Sequence, residues 1–344
     1  MKITAAWICL LMFCGSAEAA LRSPWDIHPA GPAEDAYTCP APPRPPRDLN
    51  VQSYYTDAHH SIIDTQQKAI YDQAVSRLDE FARAVVHAAD RYRTANSAAA
   101  AQCVVSLLDS AAHDRALTGN MATGQAEYVQ GWKLGSWAVA WLKVRGSGAA
   151  TEDQARHITE WLVKLAKENR AWYELRRSRN SEDSRNNHLY WAGFAIAAAG
   201  IAADDRSLFN WGMNAYLQGV NQIKPDGSLP LEMGRAGRAL HYHLYALAPL
   251  VFLAEFGEAN GVDLYSANNF AFRRLVALCL AGLRDPAAFG QRVGIAQEMP
   301  PELGAGEIGW ARPYLHRFPD PELEKLMNSV QSLSYTDWGG LPPD

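Results

Sequence analysis

The feature that most constrains the fold of this chain is the spacing of its apolar residues, which follows the helical period of about 3.6 residues. After Gln66, one helix face is formed by the apolar side chains of Ile70, Ala74, Leu78, Phe81 and Val85. Thr151 and Gln154 match the capping box that opens a helix. No segment shows the two-residue alternation of a half-buried strand. The pattern therefore predicts an all-α protein of about eight to ten helices.

Length and charge limit the classes of protein further. The 344 residues are 48% hydrophobic, which excludes intrinsic disorder and allows one large domain or two. The helical stripes return every 30 to 50 residues, roughly, without a repeat signature, so helical hairpins curved into a partial ring fit as well as a solenoid. The formal net charge is −5, which argues against a nucleic-acid partner.

The N-terminus carries the pattern of a secretory signal. Lys2 precedes an apolar run over residues 3–14, and a small-residue cleavage site follows at residues 17–19. We expect residues 1–19 to be a signal peptide and the protein to be periplasmic or secreted, although a lipid-modified Cys14 is an alternative. No other apolar stretch predicts a membrane span. Residues 20–344 are predicted to form a single domain, in which residues 20–65 supply a proline-rich arm and a lid-like segment.

Three cysteines remain after the signal peptide, namely Cys39, Cys103 and Cys279. An odd number in an oxidising compartment predicts one disulfide and one free thiol. Cys279 lies in an apolar helical run, so we predict that Cys39 pairs with Cys103, with three unpaired thiols as the alternative. The cysteines and histidines lack metal-ligand spacing, and we expect neither a metal nor a cofactor.

Two segments concentrate polar groups that an amphipathic helix would not need. In residues 185–193, Asn187 and Trp191 are helical neighbours, with His188 beside Asn187. The alternative is that Asn186 or Asn187 caps a helix and His188 is a satisfied first-turn residue. Four arginines, three of them in residues 176–179, stand just before or at the start of this segment.

The second segment spans residues 234–245. On a helix, Arg235, Arg238, Tyr242 and Tyr245 would share one face, with a histidine on either side of Tyr242. The alternative is a helix with an ordinary charged solvent face.

Together these residue types indicate one reaction class. Arg, Asn and His can bind a carboxylate, and neutralising that carboxylate acidifies the proton on the adjacent carbon. We expect nearby cations to lower the pKa of Tyr242, so that the phenol can act as base or acid. These groups suit β-elimination across a glycosidic bond of a polyuronate. Hydrolysis would need two facing carboxylic acids, and neither segment offers a carboxylate pair, although Glu232 stands near the second segment.

Residues 186–193 and 227–243 resemble the alginate lyases of polysaccharide lyase family five, which are exported bacterial enzymes that degrade poly-β-D-mannuronate. A weaker match covers residues 130–137, and the resemblance extends from the proline-rich arm to about residue 320. It implies an all-α fold, an incomplete (α/α) toroid with a long substrate cleft. The predicted bridge between Cys39 and Cys103 also resembles one in that family.

The resemblance implies roles for individual residues. Asn187, His188 and Arg235 would neutralise the substrate carboxylate, and Tyr242 would be the catalytic acid and also the base for mannuronate. His188 would be the base for the opposite epimer. The predicted substrate-binding residues are Gln130, Trp137, Trp191, Arg238, His241 and Tyr54.

One departure from the family pattern concerns substrate preference. Many alginate-specific members carry a lysine on the lid-like segment, whereas residues 51–61 here contain none. Tyr54, His59 or His60 would face the substrate instead. The expected partner is an anionic polysaccharide, alginate or another polyuronate, bound by a monomer. The alternatives are a lyase that is broad or prefers glucuronate, a non-catalytic uronate-binding protein, and a glycoside hydrolase of toroid fold.

Overall fold

The computed structural model describes residues 19–27, 29 and 36–344 of the chain. The predicted signal peptide lies outside these residues except for Ala19. Within the described ranges the backbone is helical, and β-structure is limited to isolated bridges such as the one between Tyr55 and Ile63. The predicted all-α class is confirmed.

The helices of the described residues are as follows. They are α1 (Thr65–Ala95), α2 (Ala98–His113), α3 (Gly124–Val144), α4 (Glu152–Ser178), α5 (Asn187–Ala203), α6 (Arg206–Gln222), α7 (Pro230–Met233), α8 (Ala239–Ala259), α9 (Ala267–Arg284), α10 (Pro286–Val293), α11 (Ala305–Ile308), α12 (Ala311–Arg317) and α13 (Pro321–Met327). Short 3₁₀ turns are formed by Glu182–Ser184, Ala236–Arg238 and Thr336–Trp338. Successive long helices pack in pairs, α1 with α2, α3 with α4 and α5 with α6.

Local capping sets where the long helices begin. The Asp64 carboxylate accepts hydrogen bonds from two backbone N–H groups in the first turn of α1. The predicted capping box at the start of α4 is present, with Thr151 and Gln154 bonding each other's backbone. Such caps satisfy the free N–H groups of a first turn and fix the helix register.

The predicted apolar face of α1 is correct only in part. Leu78, Phe81 and Val85 are buried, whereas Ile70 and Ala74 are exposed. Near its start α1 directs Tyr71 toward a cleft, so the predicted face is buried only from Leu78 onward.

The centre of the protein is α5, which packs against α3, α4, α6 and α8. Glycines allow α5 and α6 to approach closely, because a Cβ on Gly193 would lie 2.6 Å from the Cβ of Ala215. A Cβ on Gly212 would lie 2.6 Å from that of Ala197. These contacts fix the axis of α5 and therefore the place of its N-terminus.

Another apolar helix lies beside α5. The segment Ala236–Ala259 is the one described helix long and apolar enough to cross a membrane, but 83% of its apolar window is buried inside the protein. Burial among other helices accounts for this composition, as in a core helix of a folded domain.

The proline-rich arm is fastened to this helical body. Cys39 and Cys103 form a disulfide, with their Cα atoms 5.4 Å apart, so the predicted pairing is confirmed. The backbone N–H of Leu117 donates to the carbonyl of Pro46 at 2.9 Å. Cys279 is a buried free thiol, as predicted. These contacts hold the start of the lid-like segment against α2 and the turn that follows it.

Candidate active site

The four residues predicted to be catalytic lie in one cleft of about 990 Å³. Asn187 and His188 come from the first turn of α5, Arg235 from the turn before α8, and Tyr242 from the first turns of α8. The fold therefore brings together groups from two polar segments that are separated in the sequence by α6.

The start of α5 positions Asn187 and His188. Asn186 is the N-cap, and its side-chain oxygen accepts from the N–H of His188 at 3.0 Å. The amide nitrogen Nδ2 of Asn187 donates to both carboxylate oxygens of Glu232 at 3.0 Å. Asn186 therefore caps α5, which is the alternative that the sequence offered. This cap presents the side chains of Asn187 and His188 to the cleft.

A stack of aromatic rings fixes the His188 imidazole. The ring of Tyr128 lies parallel to it, with a centroid distance of 4.0 Å. The Tyr128 hydroxyl donates to Asp183 at 2.7 Å, and Asp183 also binds Arg176 at 2.8 Å. Burial, reinforced by the charge of Arg235, lowers the pKa of His188 to about 3. The imidazole is therefore neutral at neutral pH, and Arg235 provides the positive charge.

Arg235 and Arg238 lie in a turn, not on the helix that the sequence pattern predicts. Regular helix begins at Ala239, and Ala236 has a left-handed φ of +48°. This turn places both guanidinium groups over the Tyr242 ring, with distances from the guanidinium carbon to the ring centroid of 4.9 Å for Arg235 and 5.6 Å for Arg238. The predicted pairing of arginine and tyrosine is present although the backbone differs.

The pKa of Tyr242 departs from the prediction. Burial and the neighbouring Tyr55 hydroxyl raise this pKa, and they outweigh the lowering by Arg238 and Arg235. The expectation of a lowered pKa is therefore wrong for the free protein, because it counted the charges and omitted desolvation. The phenol is protonated, and its hydroxyl donates to the backbone carbonyl of His60 at 3.3 Å.

The lid-like segment covers Tyr242 and the arginine turn. Tyr54 and His60 line the cleft, as expected for two of the three residues considered there. His59 instead bonds the carbonyl of Gly234 through Nδ1 at 2.8 Å, and it stays exposed. Arg238 donates to the Tyr55 hydroxyl. The lid is thus joined directly to the segment that carries the arginines.

Three predicted substrate-binding residues do not line the cleft. Gln130 and Trp137 are buried in the core, where Trp137 stacks on Trp161 at 5.2 Å. Trp191 is also buried, behind Tyr245, whose backbone carbonyl accepts its indole N–H at 3.2 Å. Placing these three in the cleft is wrong, because each side chain is enclosed by neighbouring helices.

The other three predicted substrate-binding residues differ in position from these. Arg238, His241 and Tyr54 all line the cleft. The His241 ring lies parallel to that of Tyr245 with centroids 6.2 Å apart, and burial lowers the pKa of His241 to about 4. It therefore contributes a neutral polar edge to the cleft wall.

Sequence reasoning missed an ion cluster in the cleft wall. The ammonium of Lys133 lies 2.8 Å from Asp79 and 3.0 Å from Asp337. These three residues come from α1, α3 and the C-terminal region, so no local pattern could have joined them. Tyr128 and Trp132, which also line the cleft, are spaced four apart on α3, and that spacing was a usable signal.

The arrangement combines a buried cation, an amide, a neutral imidazole and a protonated phenol in one cleft. Within residues 19–27, 29 and 36–344, no group of three or more His, Cys, Asp and Glu side chains is placed to hold a metal ion. The groups present can bind a carboxylate and move protons at its neighbouring carbon.

Several known proteins resemble this chain in sequence. The sequence profile of the alginate lyase family matches residues 48–289. A polysaccharide lyase of Stenotrophomonas maltophilia (strain K279a) is 41% identical over 285 residues, which is 82% of each chain. An alginate lyase of Pseudomonas putida (strain F1) is 33% identical over 321 residues, 90% of this chain and 86% of its own.

Solved structures show the same fold. Alginate lyase A1-III from Sphingomonas species A1 superimposes with a TM-score of 0.76 at 24% identity, covering 89% of this chain and 86% of its own. A substituted form of that lyase complexed with tetrasaccharide gives 0.81 at 22% identity, covering 94% and 95%. The fold is an incomplete (α/α) toroid, and fold and relatives together define a polysaccharide lyase. The chain belongs to the alginate lyase family.

The charge state of His188 gives a prediction. We expect its imidazole to remain neutral down to about pH 4 in the free protein, since burial and Arg235 disfavour the charged form. Replacing Arg235 with Gln removes a positive charge and should raise the pKa of His188. NMR of the histidine rings across a pH series measures the pKa of His188 in the wild-type protein and in Arg235→Gln. The His188→Gln variant assigns the signal. Titration of the wild-type ring near its ordinary value of about 6.5 would contradict this account.

Proposed function

We propose that this protein is an exported lyase that cleaves β-1,4-linked polyuronates, polymannuronate above all, by β-elimination. The observation that carries the proposal is the Tyr242 phenol, held under two guanidinium groups in the same cleft as Asn187 and His188. Family membership supports lyase action on alginate, and the assignment of roles to single residues is our inference.

The first step is capture of the substrate carboxylate at the cleavage site. Arg235 is 4% exposed, so its charge acts in a poorly solvated place where electrostatic attraction is strong. Asn187 and the neutral His188 add hydrogen-bond donors without adding charge. Neutralising the carboxylate allows it to accept electron density from C5, which makes the C5 proton more acidic.

The second step moves two protons. A base removes the C5 proton, the C4–C5 double bond forms, the bond from C4 to the glycosidic oxygen breaks, and that oxygen takes a proton. Tyr242 gives this last proton. For mannuronate Tyr242 first loses its phenolic proton to water in the cleft, and Arg235 and Arg238 stabilise the phenolate. The phenolate then removes the C5 proton and passes that proton on to the glycosidic oxygen. For the opposite epimer His188 is the base, and its lowered pKa leaves the imidazole free to accept.

Carboxylates in the cleft wall do not favour hydrolysis as a rival reaction. Asp183 is bound by Arg176 and Tyr128, and Asp79 shares the ammonium of Lys133 with a second aspartate. An inverting or retaining hydrolase needs one carboxylic acid held protonated opposite another. Asp183 and Asp79 instead form ion pairs with Arg176 and Lys133, and an ion pair favours the ionised form of a carboxyl group.

A broader polyuronate lyase is the second candidate. Residues 51–61 carry no lysine, and tyrosine and histidine occupy the lid where many alginate-specific members have a cation. The Stenotrophomonas relative bears the general name polysaccharide lyase. With fewer lid charges, preference among uronates would depend on shape and hydrogen bonding, which favours a range of chains including glucuronate.

Export is part of the proposal. The N-terminal sequence has the order of a secretory signal, and the disulfide between Cys39 and Cys103 suits an oxidising compartment such as the periplasm. A polymeric substrate is also met outside the cytoplasm. We propose that the mature chain acts there as a monomer.

Replacing Tyr242 with Phe tests the central role. The variant should fold and still bind oligomannuronate, while turnover falls by a factor of about 10³ or more, because the proton donor to the leaving oxygen is lost. Rates are followed by near-ultraviolet absorbance of the unsaturated product, and binding by calorimetry. Tyr216→Phe, which alters a buried tyrosine on α6, is the matched control and should keep full activity. Substantial turnover by Tyr242→Phe would refute the mechanism.

Specificity is tested with a panel of polymers. We expect the fastest rise in near-ultraviolet absorbance with polymannuronate, and slower rises with polyglucuronate and polyguluronate. A rate on polyglucuronate equal to or above that on polymannuronate would establish the broader lyase instead. No rise with any of these polymers or with hyaluronan, combined with measurable binding, would indicate a uronate-binding protein.

A further inference from the structure

A fully buried acid, Glu232, joins the two polar segments of the active site. It lies on α7, is 0% exposed, and does not line the cleft. Its Oε1 accepts the backbone N–H of Asn187 at 2.8 Å, and both its oxygens accept from Nδ2 of Asn187 at 3.0 Å. Its other oxygen lies 3.5 Å from Nε of Arg235.

The position of this carboxylate follows from helix chemistry. The N–H groups in the first turn of α5 have no acceptor within the helix, and the positive end of the helix dipole favours a negative group there. Asn186 satisfies the N–H of His188, and Glu232 satisfies that of Asn187. A carboxylate from 45 residues further along the chain thus completes the cap of α5.

The same carboxylate restricts the side chain of Asn187. The two oxygens of Glu232 can share one of the two hydrogens on the Asn187 amide nitrogen, which leaves the other hydrogen for a substrate carboxylate. Without Glu232 the amide could rotate about its last side-chain bond and exchange its donor for its acceptor. Glu232 prevents that rotation, because it accepts from both the backbone N–H and the side-chain amide of Asn187.

We propose that Glu232 is a positioning residue of the elimination reaction: it holds the Asn187 amide, and beside it the Arg235 guanidinium, so that both reach one substrate carboxylate. This inference rests on the proposed function and adds a residue that never touches the substrate. Negative charge on the substrate carboxylate grows as the C5 proton leaves, so loss of this positioning should lower kcat more than it raises KM.

The test is a double-mutant cycle on a wild-type protein first shown to cleave polymannuronate. Glu232→Gln keeps size but turns one acceptor into a donor, and kcat should fall on the order of tenfold to a hundredfold. In an Asn187→Ala background the same change should cost about twofold or less, because the group being positioned is gone.

Glu255→Gln serves as the matched control, since Glu255 is a part-buried acid on α8 that accepts from the Tyr265 hydroxyl away from the cleft. It should lower the melting temperature without changing kcat. Should Glu232→Gln fail to fold, Glu232→Asp keeps the charge and withdraws it by one methylene, and it should show the same coupling with Asn187→Ala.

Two results would overturn the inference while leaving the proposed function intact. One is wild-type kcat in the folded Glu232 variant, and the other is an undiminished effect of that variant in the Asn187→Ala background. A wild-type protein that cleaves no polyuronate would instead remove the proposed function, and this inference with it.

Discussion

The chemistry proposed here depends on the competition between burial and positive charge at Tyr242. Burial under the lid raises the pKa of the phenol and keeps its proton in place, while Arg235 and Arg238 over the ring stabilise the charge that forms when the proton leaves. The rest of the structure maintains this balance. The disulfide anchors the arm that leads into the lid, and the close packing of α5 against α6 fixes the N-terminus that carries Asn187.

The fold class was predictable because helical period and capping are local properties. The capping box of α4 and the pairing of Cys39 with Cys103 are present as the sequence predicts, and the N-cap at Asn186 is one of the alternatives that the sequence leaves open. Local periodicity could not decide which face of α1 meets solvent. Ile70 is 60% exposed, because its turn borders the cleft and not the core, and that depends on distant parts of the chain.

In the candidate site, too, local features could be predicted from the sequence, whereas burial could not. Residue type and spacing brought Arg235 and Tyr242 together correctly, although a turn with a left-handed Ala236 does so and not a continuous helix. The sign of the Tyr242 pKa shift was wrong, since sequence reveals neighbouring charges but not burial. Sequence cannot separate core from cleft for Trp137 and Trp191, because an aromatic residue on a helix can serve either equally well. Only tertiary packing separates the two.

Cleavage of the glycosidic bond by elimination is the central proposal. The most direct test is mass spectrometry of the oligosaccharides released from polymannuronate in water enriched in oxygen-18. Elimination adds no water, so we expect products with one unsaturated end, each lighter by one water than a hydrolysis product. Heavy oxygen should enter them only at the slow rate at which the free reducing end of an added oligosaccharide exchanges with water. Saturated products that carry oxygen-18 above that rate would show hydrolysis and contradict the proposed elimination.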